Sequence, residues 1–122
     1  MGGELDRGGM GIAAPNRARR VLAAALCAQL FGCSAIEGAR LYREGTQALE
    51  RGDAASAVRA LEGAAERAPE ASEVQNHLGL AYLASGRRGD ALRAFERAVA
   101  LDCDNAAARH NLSLLRGDPR GP

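Results

Sequence analysis

Five side chains in this sequence are of the types that catalysis or metal binding calls on: Cys27, Cys33, Cys103, His77 and His110. The two histidines are 33 positions apart, and Glu73 lies one helical turn before His77. Brought to one face, two imidazoles and that carboxylate would make a metal-binding set; left apart, they are solvated or hydrogen-bonded histidines. The cysteines have no CxxC partner and no metal-ligand spacing. Cys103 reads as a small residue at a turn, with a dimer-forming disulfide as the alternative. No nucleophile elbow, phosphate-cradling glycine loop or triad spacing occurs. "GRRGD" at 86–90 contains two glycines but falls between helices, so it reads as a turn. The sequence therefore predicts no catalytic residue, no cofactor and no metal site. A metal-dependent enzyme built on His77 and His110 is the one catalytic alternative.

The elements that carry these residues follow from composition and repetition. With 122 residues the chain is one domain at most. Its apolar content is largely alanine, the strongest helix former, and the only aromatics are Phe31, Tyr42, Tyr82 and Phe95. All 16 basic residues are arginine. The net charge is +1, but Arg7, Arg17, Arg19 and Arg20 precede Val21 against only Glu4 and Asp6. From Cys33 onward, 12 arginines face 13 carboxylates, an excess of −1. A nearly neutral body with interspersed signs has no electrostatic footprint for nucleic acid.

Sliding the chain against itself exposes a period of 34. Gly45 pairs with Gly79, Leu49 with Leu83, Gly52 with Gly86, Ala57 with Ala91, Leu61 with Phe95 and Ala64 with Ala98. A partial third copy matches Leu78 and Leu80 to Leu112 and Leu114. Gly52 and Gly86 mark helix ends, where a positive φ favours glycine. Asp53 and Asn105 stand as N-caps, and Ser72 with Gln75 has the spacing of a capping box. Pro69, and later Gly117 and Pro119, stop helices. Gly45 and Gly79 fall mid-helix, where each costs about 1 kcal/mol against alanine. That recurrence predicts two helices in close approach, with Leu61 and Phe95 filling the space between them. Ala57, Ala64, Ala91 and Ala98 are the small residues of the facing helix.

A 34-residue helix-turn-helix unit with this order of residues resembles the tetratricopeptide repeat. The second unit carries Leu78, Gly79, Tyr82, Ala91, Phe95 and Ala98 in signature places. The first keeps Gly45, Ala57, Leu61, Ala64 and Pro69 but has Ala48 where a tyrosine is usual. The resemblance implies an all-α solenoid: unit 1 over 38–71, unit 2 over 72–105, a partial third unit or capping helix over 106–117, and a tail at 118–122. It also implies a concave groove lined by the first helices, which binds a protein or peptide segment. Its places here are Tyr42, Thr46 and Leu49, then Glu73, Asn76, Leu80 and Leu83, then His110 and Leu114. On this reading Asn76 offers an amide beside Leu80. The clamp of chaperone-binding members needs basic and asparagine residues where this chain has Tyr42, Thr46, His77, Ala107 and Asn111, so chaperone tails are not the expected partner. Because so few repeats bury little core, self-association or docking on a larger envelope assembly is the alternative.

Residues 17–38, "RARRVLAAALCAQLFGCSAIEG", have no counterpart in the repeat. As a helix, the apolar run of about 11 residues from Val21 spans roughly 16 Å, about half a bilayer's hydrocarbon core. Arginines, an apolar centre and small residues give the layout of a secretory leader. Leu30–Cys33, "LFGC", resembles the bacterial lipobox, although Phe31 replaces the usual small or β-branched residue. The resemblance implies a leader over 1–32, starting at Met1 or Met10, and a lipidated Cys33 followed by a short tether over 33–37. It places the protein on the bacterial cell envelope, with Ser34 favouring the periplasmic face of the outer membrane. The alternatives are an additional apolar helix against the first repeat and a leader kept as a signal anchor.

Overall fold

The computed structural model describes residues 14–117. Among them are five helices and no strand: α1 (Ala14–Glu50), α2 (Ala54–Arg67), α3 (Ser72–Ala84), α4 (Arg88–Leu101) and α5 (Ala106–Arg116). The chain divides into two units, Met1–Cys33 and Ser34–Pro122. Among the described residues, no helix is long and apolar enough to cross a membrane. Residues 33–37 fall within the bounds of α1.

Within the second unit the helix ends obey local chemistry. Gly52, Gly86 and Gly117 all have φ between 70 and 76°, a conformation open to glycine at little cost. Asp53 accepts the Ser56 N–H and Asn105 accepts the Ala108 N–H, each satisfying a donor the helix leaves free. Two expectations need correction. Ser72 is not a cap: Ala71 precedes α3 without a side-chain cap, and Ser72 Oγ donates to the Ala98 carbonyl while accepting from Asn105 Nδ2. The serine therefore ties the start of one helix pair to the end of it and to the next. "GRRGD" is also only partly a turn, because Arg88, Gly89 and Asp90 form the first turn of α4. Asp90 suits that place through the helix dipole and by pairing with Arg87 and Arg93.

Packing follows the period. Ala48, Ala57, Val58, Leu61, Leu78 and Ala81 form one buried cluster; Ala91, Phe95, Leu112 and Leu115 form another. Tyr82 leans on both and so links the two repeats. Leu61 and Phe95 are the largest side chains fully removed from solvent. A Cβ on Gly79 would lie 2.5 Å from Phe95 Cε1, and one on Gly45 would collide with Leu61 Cγ. Those two glycines are the price of the close approach that brings each large side chain against backbone. Ala64 and Ala98 are also buried. Helix α5 buries Ala108, Leu112 and Leu115 against the second repeat and turns Arg109 and Arg116 to solvent. Within the second unit, the described residues form a short all-α array of helix-turn-helix repeats.

Candidate protein-binding face

The side chains that the resemblance assigns to the groove come from the later part of α1, from α3 and from α5. Tyr42, Thr46, Leu49 and Leu80 are half-buried; Glu73 and His110 are exposed. Leu83 and Leu114 are large apolar residues at 37% and 63% exposure. Leu49 and Tyr42 lean on the first buried cluster and Leu80 on the second, so each has one side in the core. Asn76 is different. It is 3% exposed, and its Oδ1 accepts from Asn111 Nδ2 at 2.9 Å. The amide expected to meet a partner is largely spent inside the protein.

That contact has a twin. Tyr42 and His77 stand one repeat before Asn76 and Asn111, and the Tyr42 hydroxyl lies 3.2 Å from His77 Nδ1. The two rings meet edge to face at 5.2 Å. His77 Nδ1 also lies 3.0 Å from the Glu73 carbonyl, which only accepts. Both junctions between successive first helices are thus closed by a polar pair in the same place. Spacing hid this, because the members of each pair are 35 apart, one step off the period. The available signal was a polar residue recurring beside each groove position, at His77 and Asn111.

Charge gathers where α2, α3 and α4 meet. The Tyr82 hydroxyl donates to Glu62 at 2.8 Å, and the Arg87 guanidinium lies 4.4 Å above the Tyr82 ring and 3.7 Å from the same carboxylate. Burial, then the Glu62 hydrogen bond and charge, push the phenol pKa up to about 12. Burial and the Glu73 carboxylate also raise that of Tyr42. An unfolded tyrosine ionises near pH 10. Between that value and about 12 the unfolded chain therefore holds fewer protons than the folded one, and stability falls as pH rises through this window. In a Tyr42→Phe background the tyrosinate absorbance of the folded chain should rise near pH 12, and Glu62→Gln should bring that midpoint down.

An apolar hollow of about 280 Å³ opens beside Tyr42, lined by Ala35, Gly38, Ala39, Ala68 and Val74 with Arg67 at its edge. It has room for one large apolar side chain of a bound segment. The metal set considered for His77, His110 and Glu73 does not assemble: among the described residues, no three His, Cys, Asp or Glu side chains converge. Cys33 and Cys103 are exposed free thiols.

An all-helical repeat array whose first helices carry half-buried and exposed apolar side chains beside polar pairs defines a protein-interaction module. In agreement, residues 72–105 match the tetratricopeptide repeat family. These are the residues of the second unit, with the better set of signature side chains. No curated protein matches the chain.

Proposed function

We propose that the protein is a lipid-anchored adaptor of the bacterial cell envelope that binds a protein segment along its first helices and performs no chemistry. The observation that carries the binding reading is the exposure of Leu83 and Leu114 on two successive first helices. Exposed leucines on helices that already bury a full core stripe contribute little to folding and are suited to a partner's apolar side chains. The Tyr42 hollow lies along the same set of helices and offers a further apolar contact. Replacing both leucines, Leu83→Glu with Leu114→Glu, should leave the melting temperature within a few degrees, since neither is in the core. Capture of the partner from detergent-solubilised membranes should fall at least about tenfold, the usual weight of a well-placed interface residue. Undiminished capture would move the binding surface elsewhere.

The anchor reading rests on the arginine-flanked apolar run ending in Leu30–Cys33. Two or more acyl chains on that residue would hold the protein stably at a bilayer, where one would not. A palmitate analogue fed to cells should label the wild type and leave Cys33→Ser unlabelled.

A further inference from the structure

A second hollow, of about 430 Å³, lies on the outer side of the first repeat between α1 and α2. Its floor is Leu41, Ala48 and Ala60; Arg51 and Arg59 stand at its rim with Glu44. One period further on, the corresponding place in the second repeat is a hollow of only about 200 Å³. There Gln75 replaces Leu41, Tyr82 replaces Ala48, and Arg93 and Ala94 repeat Arg59 and Ala60. That face of the second repeat has an occupant within the chain. Helix α2 lies against it, with Glu62 taking the Tyr82 hydroxyl and the Arg87 charge, and the Pro69 carbonyl beyond the helix end accepting from Arg97. The second repeat thus shows what such a face takes: a helix that presents a carboxylate.

We propose that the outer face of the first repeat docks an amphipathic helix of a different protein. That helix presents an acidic side chain to Arg51 and Arg59 and one large apolar or aromatic side chain between Leu41 and Ala60. Three features carry the proposal. First, the face repeats one that α2 covers. Second, the hollow is about 430 Å³ against about 200 Å³ one period on, where Tyr82 stands in the place of the buried Ala48, which leaves room for a side chain from outside. Third, Arg51 and Arg59 form no ion pair among the described residues: Arg59 donates only to Ser56 Oγ, while Glu44 pairs with Arg40 and Asp53 caps α2. The same charges argue against a second copy. A symmetric pairing that set Arg59 against its own counterpart would bring like charges to close range, which opposes it.

The test uses the full chain with two alanine-based helical peptides. Each carries a leucine, flanked one turn away by glutamates in one peptide and by lysines in the other. The glutamate peptide should bind and shift the amide resonances around Ala48 and Ala60, and the lysine peptide should bind at least tenfold more weakly. Ala48→Tyr fills the hollow from within, as Tyr82 does, and should weaken the glutamate peptide at least tenfold. Arg51→Glu with Arg59→Glu should reverse the preference between the peptides without filling anything. The Leu83→Glu, Leu114→Glu chain should bind the glutamate peptide as the wild type does, which separates this face from the groove. No binding, equal binding of both peptides, or resonance shifts confined to α3 and α5 would overturn the proposal. So would a concentration-dependent dimer abolished by Ala48→Tyr, which would make a second copy the occupant.

Discussion

Phe95→Ala should cost about 3–5 kcal/mol, the range for truncating a fully buried aromatic residue. Phe95 has no exposed surface and stands in the second cluster with Ala91, Leu112 and Leu115. Its ring lies against the backbone of Gly79, so truncation opens a void that a rigid main chain must close. A unit of this size holds about 5–10 kcal/mol in all, so the variant would retain little of it. Thermal unfolding followed by circular dichroism should show the loss as a drop well beyond 10 °C, since about 1 kcal/mol shifts the midpoint of a small domain by roughly 4–8 °C. A drop of only a few degrees would show that the second repeat is not held by this ring.

The second large effect comes from the other side of the same contact. Gly79→Leu gains about 1 kcal/mol of intrinsic helix propensity, so on an open helix it would stabilise. Here the first added carbon already meets Phe95 at 2.5 Å, and that ring has nowhere to go. Over-packing of this kind costs about 1–3 kcal/mol, at times more, and it should win. Gly89→Leu is the control. Gly89 is in the first turn of α4, is exposed, and has nothing nearer to an added Cβ than the end of Arg93 at 3.9 Å. The two substitutions should move the melting temperature in opposite directions. A stabilising Gly79→Leu would mean that α3 and α4 do not approach as closely as the packing shows.

Gly45 and Gly79 were legible in the sequence because an unfavourable residue repeated in the middle of a helix demands a reason, and close packing is one. Asp53 and Asn105 were legible for the same kind of local reason: an oxygen-bearing side chain before an apolar stripe has a free N–H to satisfy. Ser72 was misread because its local pattern fits a cap equally well, while its actual partners, Ala98 and Asn105, are 26 and 33 residues away. Asn76 was misplaced likewise. A polar residue at a groove position looks available to a partner until a second asparagine arrives from α5 to use it. Local preference identified the elements and the period placed them, whereas side-chain hydrogen bonds across repeats depend on geometry that neither encodes.

The polar pairs Tyr42–His77 and Asn76–Asn111 bear on how fast and how tightly a ligand is held. Apolar contacts tolerate sliding, but a hydrogen bond weakens steeply when its angle or length changes. Two such bonds at equivalent joints therefore resist flexing between successive first helices. A segment landing on those helices meets a template that needs little reshaping, and most of the entropy lost on association is the segment's own. Association should then proceed as rigid docking does, and differences between competing segments should appear chiefly in how long each remains bound.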